Sequence, residues 1–153
     1  MAIVVKPPIR VEWNTNKSVF LAGTIDNGQS IDWQSSVEKS LSDLDILILN
    51  PRRDKWDSSW KQSINNPMFK EQVEWELDGL ERVNQIFIYF AAHSKSPITL
   101  LELGLHASKE NVTIVCPQGF WRRGNIEVIA YRYNIPLYET LSEGIASLRE
   151  KIA

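Results

Sequence analysis

In the stretch SPITLLELGL, residues 96 to 105, one acid, Glu102, stands among Leu100, Leu101, Leu103 and Leu105. Carboxylates are seldom fully buried unless something satisfies them. Held ionised at the floor of a pocket with apolar neighbours, such a group is suited to attack an electrophilic carbon or to stabilise a cationic one. Ser96 followed by Pro97 reads as an N-cap and first helical residue, which puts Glu102 near the second turn of a helix whose positive end favours the carboxylate. Gly104 leaves room beside it for another group or chain. Spacing alone leaves a second reading open, an acid pointing to solvent from a helix whose leucines face the sheet.

The other side chains able to do chemistry cluster in loops. Trp56, Trp60 and Trp121 accompany Arg52, Arg53, Arg122 and Arg123, and aromatic faces beside hydrogen-bonding groups suit a planar heterocyclic ligand. The same tryptophans would also serve to pack long loops onto the body. Arg52 and Arg53 could grip a phosphate in bidentate fashion or pair with Asp54 and Asp57. Asp78, taken alone, reads as an acid on a solvated helix face shared with Glu71, Glu74 and Arg82, and Asn125 as a helix N-cap. His93 and His106 have no second histidine or cysteine at ligand spacing, so no metal site is expected. AGTIDNG, residues 22 to 28, is not the dinucleotide-binding pattern and no P-loop lysine follows it. No cofactor is expected.

Four short apolar runs rich in β-branched and aromatic residues predict strands buried on both faces: residues 18 to 24, 44 to 50, 85 to 91 and 112 to 116. Between them the pattern predicts helices over 31 to 43, 68 to 83 and 97 to 110, with Val73, Leu77 and Leu80 marking the apolar stripe of the second. Two more helices, 125 to 134 and 142 to 152, flank a fifth short strand in PLYE. Residues 1 to 17, rich in Pro, Asn and Lys, read as an arm, and the domain as 18 to 153. Alternating strand and helix predicts one α/β domain with a five-stranded parallel sheet, doubly wound, helices on both faces. Ligands of such sheets bind outside the carboxyl ends of the strands where strand order reverses. That rule selects AGTIDNG, NPRRDKWDSSW, AAHSKSP and CPQGFWRRGN.

The bulk properties narrow the partners. A chain of 153 residues with 17 Lys and Arg against 19 Asp and Glu carries a net charge of -2, with no basic run to track a phosphate backbone, so nucleic acid is not an expected partner. The single cysteine, Cys116, reads as a buried thiol that has no partner for an intrachain disulfide, which fits a reducing compartment. No segment resembles a signal peptide or approaches a membrane span, so a cytoplasmic protein without membrane contact is expected.

Taken in order, VFLAGTI, NPRRDKWD, QVEWELDGLERVNQIFIYF, SPITLLELG and CPQGFWRRGN resemble the nucleoside 2-deoxyribosyltransferase-like family over residues 18 to about 127. The resemblance implies a flavodoxin-like sheet, in agreement with the strand and helix pattern. It also implies that Glu102 is the nucleophile that attacks C1′ of the sugar, expels the base and holds a covalent glycosyl intermediate until a second base, or water, takes the sugar. Such double displacement retains configuration. Asp78 matches an aspartate that contacts the base and passes a proton to its ring nitrogen. Phe20, Gly23, Asp26, Asn50, Arg53, Ser96 and Asn125 fall at substrate-binding positions, with Asn125 contributed by a neighbouring subunit toward the sugar hydroxyls. The resemblance therefore implies a homo-oligomer acting on nucleosides and free nucleobases, in base exchange or salvage.

Departures from the family pattern bear on the substrate. The better-known transferases place an aspartate six residues before the nucleophile, where this chain has Ser96. A serine there is similar to the related deoxynucleoside 5′-monophosphate N-glycosidases, in which it helps bind phosphate. Those hydrolases also carry an arginine in the first-strand loop where Asp26 stands here, and an acid there repels a 5′-phosphate by on the order of 1 kcal/mol or more. Nucleosides are therefore favoured over nucleotides. Phe20 replaces a frequent tyrosine. The alternatives left open are an N-glycoside hydrolase using water and a non-catalytic nucleoside or nucleotide sensor.

Overall fold

The computed structural model describes residues 1–14, 17–25, 31–53 and 59–153. Among the described residues, six parallel strands alternate with five helices: β1 (Ile3–Val5), β2 (Ser18–Gly23), α1 (Trp33–Ser40), β3 (Leu47–Leu49), α2 (Pro67–Arg82), β4 (Gln85–Tyr89), α3 (Pro97–His106), β5 (Val112–Val115), α4 (Arg123–Tyr133), β6 (Leu137–Tyr138) and α5 (Leu141–Ile152). A short 3-10 turn, Ala107–Lys109, extends α3. The strand order is β1-β3-β2-β4-β5-β6.

The expected five-stranded sheet is corrected to six. β1 lies inside the segment read as an arm and pairs with β3, Ile3 opposite Leu47 and Val5 opposite Leu49. Its edge position explains why the pattern is weak: of its three residues only Val5 is buried, so the run lacks the two-sided apolarity that marks the inner strands.

Each inner strand sends alternate side chains to opposite faces. Phe20, Ala22, Leu49, Ile86, Ile88 and Ile114 pack with Leu80 of α2, Leu103 of α3 and Ile126 of α4. Val19, Leu21, Ile48, Phe87 and Val115 pack instead with Trp33 and Val37 of α1 and with Leu148 and Ile152 of α5. Local chemistry fixes where the helices start. The Asp32 carboxylate accepts from Ser35 N at 3.2 Å, and Asn66 Oδ1 accepts from Met68 N and Phe69 N at 3.1 and 3.2 Å, ahead of Pro67 at the first helical position. Thr140 and Glu143 close a capping box at the start of α5,. No helix among the described residues is long and apolar enough to cross a membrane.

Gly144 brings α5 onto the sheet, because a Cβ there would collide with Val115 Cγ2 and sit 3.2 Å from the Phe87 ring. Gly144→Ala is expected to destabilise the fold by about 2 kcal/mol, the effect of overpacking a filled core, read as a lower urea midpoint with unchanged slope. An unchanged midpoint would show that α5 can lift off freely.

Strand order reverses beside β2, which lies between β3 and β4. The loops leaving the carboxyl ends of β2 and β4 therefore part company and leave a crevice between them.

Candidate functional site

Gly23 ends β2 at the crevice. A Cβ there would run into the Tyr89 carbonyl oxygen of β4 and approach the Trp33 ring to 2.6 Å, so only glycine lets the chain pass between them. Thr24 follows, buried, its carbonyl accepting from Trp33 Nε1 at 2.9 Å. Its hydroxyl accepts from Ala91 N at 3.0 Å and lies 2.6 Å from Ser96 Oγ and 3.1 Å from Ser94 Oγ. Ser94 and Ser96 are 2.7 Å apart. Three hydroxyls thus tie the end of β2 to the start of α3. Ser96 is not the side-chain cap that its sequence suggests: it adopts a left-handed backbone, φ 47 and ψ 52, with no capping bond to the helix. Its hydroxyl is spent on Thr24 and Ser94, and a non-glycine residue in that conformation stores strain of order 1 kcal/mol, a condition that clusters at functional sites.

A cavity of about 570 Å³ opens beside this knot, walled by Val73 and Leu77 of α2 and floored by Glu102 and Glu76. Its volume is in the range of small-molecule sites. Glu102 is buried, at 9% exposure. Burial, and secondarily the charge of Glu76, push its carboxyl up to about 8. Burial likewise pushes Glu76 up to about 7, against the opposing effect of a hydrogen bond from Gln72. Both carboxyls therefore hold their protons more tightly than exposed acids do. A polar chain leads away from them. Gln72 Nε2 donates to Glu76 Oε2 at 3.4 Å and to the Pro51 carbonyl at 3.3 Å. Arg53 donates to Gln72 Oε1 at 3.3 Å, and its guanidinium lies 4.9 Å from the centre of the Trp60 ring. The arrangement offers a desolvated carboxylate, a second carboxyl able to hold a proton, a cation and an aromatic face.

Of the residues picked out from the sequence, Glu102, Gly23, Arg53 and Ser96 line this cavity together. Phe20 does not: it is fully buried beneath α2, its ring centre 6.0 Å from that of Trp75. Asn50 is a loop former, donating to Glu38 at 2.9 Å and accepting from Arg52 N at 2.9 Å. Asp78 is exposed on α2 and is not part of the cavity wall. Asn125 is exposed as well, and because α4 begins at Arg123 it lies within the helix rather than at its N-cap. Asp26, Trp56, Asp54 and Asp57 lie outside the described residues. Trp121 is half-exposed on the surface, donating to the Lys95 carbonyl at 3.0 Å, with the Lys95 ammonium 4.3 Å from its ring centre and the Arg122 guanidinium 4.6 Å away. Cys116 is buried and its thiol is pushed up to about 11 by that burial.

Glu76 and Gln72 escaped the sequence reading, although a signal was present. Val73, Leu77 and Leu80 mark one stripe of α2. Glu76 lies three residues after the first and four before the last, so it shares their side, whereas Asp78 lies roughly 140° around the helix from Val73.

Fold and site together define an open α/β protein with a two-carboxyl cleft at its switch point. The chain belongs to the nucleoside 2-deoxyribosyltransferase-like family, whose model matches residues 16–120. Among solved structures it is similar to a conserved protein from Enterococcus faecalis V583, with a TM-score of 0.61 and 8% identity over 88% of this chain and 98% of that one. At that identity the likeness is one of fold, and it agrees with a flavodoxin-like arrangement. No curated protein sequence matches the chain.

Proposed function

We propose that the protein is a nucleoside 2-deoxyribosyltransferase that exchanges the base of nucleosides through a glycosyl ester on Glu102. One observation carries the reading: Glu102 sits desolvated at the floor of the cleft, in the second turn of α3 beyond the hydroxyl knot. In the first half-reaction a Glu102 oxygen bonds to C1′ as the bond from C1′ to the base breaks, with an acid of α2 delivering a proton to the base. In the second, a new base attacks C1′ from the side the first one left, so configuration is retained overall. The negative pair at the floor favours an uncharged nucleoside over a phosphorylated one. Family membership supports small nucleosides as substrates.

Homo-oligomerisation is part of the proposal. Ile98, Leu101 and Leu105 of α3 line the cavity yet remain 59%, 59% and 53% exposed, so a second copy laid over them would complete the mouth. Light scattering should give a mass above that of one chain.

Arg53 in the cavity favours a second reading, an N-glycoside hydrolase acting on 5′-monophosphates with water as acceptor. Incubating thymidine or deoxyinosine with adenine, and resolving products by chromatography, tests both. Deoxyadenosine formation supports exchange. Free base appearing at one rate with or without adenine, and faster from the 5′-monophosphate, supports hydrolysis. Nucleoside binding without any product would leave only a sensor.

A further inference from the structure

We propose that the segment between β1 and β2, residues 6 to 14, is a positioning strap for the nucleoside site: by holding Trp75 and Arg82 from behind, it sets the rotation of α2 that turns Val73 and Leu77 into the cavity. The inference rests on the nucleoside reading above. It extends that reading to a part of the chain that precedes the residues matched by the family model.

β1 and β2 run parallel with β3 between them, so the chain leaving Val5 at the carboxyl end of the sheet must recross it before Ser18. A crossover of this kind is ordinarily a helix packed on the sheet. Here residues 6 to 14 form neither helix nor strand. Pro7 is buried where the strap departs, and Val11 and Trp13 pack on the core layer that holds Phe20, Leu49 and Leu80. Two contacts join the strap to α2. Trp75 Nε1 donates to the Ile9 carbonyl at 2.9 Å, and the Arg82 guanidinium lies 4.5 Å from the centre of the Trp13 ring,.

α2 needs such a hold. Of its sixteen residues only Gln72, Gly79 and Leu80 are buried, and Gly79 rests so close to Leu49 and Phe20 that a Cβ there would come within 2.7 and 3.0 Å of them. A helix seated on so narrow a footing can roll about its axis. Trp75 and Arg82, seven residues apart, share one side of α2, roughly 160° to 180° around from Val73. Val73 and Leu77 line the cavity. Strap and cavity therefore meet opposite sides of one helix, and a roll that frees the first displaces the wall of the second. The Trp75 ring is also braced from below, its centre 6.0 Å from that of Phe20.

Reciprocity follows. If a fastened strap strengthens nucleoside binding by some factor, a bound nucleoside must fasten the strap by the same factor. Arg10 is exposed in the middle of the strap, so trypsin cleavage of the Arg10–Val11 bond reports how often the strap comes away.

The test uses the full chain carrying Glu102→Gln, which has no nucleophile to consume the ligand, with thymidine and deoxyinosine as probes in calorimetry. Trp75→Phe keeps a ring against Phe20 but loses the N–H to Ile9; Trp13→Ala removes the ring beneath Arg82. Each should raise Kd by about fivefold or more, and Trp13→Phe, which keeps an aromatic face for the guanidinium, should restore most of the affinity. Saturating nucleoside should slow cleavage at Arg10 by a similar factor, read by mass spectrometry. Variants with lower urea midpoints but the parent Kd would reduce the strap to a structural element and overturn the proposal, as would a cleavage rate indifferent to nucleoside. Either result leaves the nucleoside site standing. No binding of either nucleoside before the strap is altered would overturn both the strap's role and the nucleoside reading.

Discussion

Glu102→Gln is expected to lower base exchange by ~10³-fold or more and, at pH 8, to make the folded chain more stable than its parent. Glutamine fills the same space but has no anionic oxygen to bond to C1′, and removing a nucleophile that acts within a concerted group of residues removes most of the rate. The gain in stability comes from the same burial. Glu102, pushed up to about 8, is forced into a partly ionised, poorly hydrated state at that pH, whereas an amide carries no charge to desolvate. A gain of about 2 kcal/mol should appear in urea unfolding at pH 8 and shrink toward pH 5. A variant that keeps a tenth of the parent rate would end the proposed mechanism. One that is less stable than the parent at pH 8 would show that Glu102 is not a desolvated acid.

The parent protein itself should lose stability as pH rises from about 5 to about 8. Both acids have folded-state values raised above the ordinary 4.5, to about 7 for Glu76 and about 8 for Glu102. Between those limits the folded chain holds protons that the unfolded chain has released, so the slope of unfolding free energy with pH is negative. The contribution is fully present below the unfolded value and is lost as pH passes through the folded ones. The loss is on the order of 4 kcal/mol for the pair taken together. It should vanish in the double variant Glu76→Gln, Glu102→Gln. A parent curve that is flat or rises over this range would show that the two acids are not desolvated in the folded chain. Asp43, held below the ordinary range chiefly by a hydrogen bond from Arg149, acts at more acid pH and does not mask the effect.

The inner strands were legible because burial on both faces selects mostly apolar, β-branched and aromatic residues, as in QIFIY and VTIV. β1 was not, since an edge strand with only Val5 buried has no such mark. Glu102 was legible as an acid among leucines. Its partner was hidden by the resemblance itself, which drew attention to Asp78, although helical geometry already put Glu76 with Val73 and Leu77 on the cavity side. Ser96 misled in another way. The Ser-Pro pair predicts a cap, and only the tertiary positions of Thr24 and Ser94, more than seventy residues and two residues away in the chain, reveal that its hydroxyl is engaged elsewhere. Phe20 and Asn50 show the same limit, because adjacency to a ligand end in sequence does not say whether a side chain turns inward to the core or outward to the cleft.

The rivet formed by Thr24, Ser94 and Ser96 has a mechanical consequence. It couples the segment leaving the first long strand to the foot of the helix that bears Glu102, so a tug on either is felt by the other. Severing it, as in a Thr24→Val, Ser96→Ala pair, would let that helix slide along the sheet and would blur the aim of its carboxyl without altering the carboxyl itself.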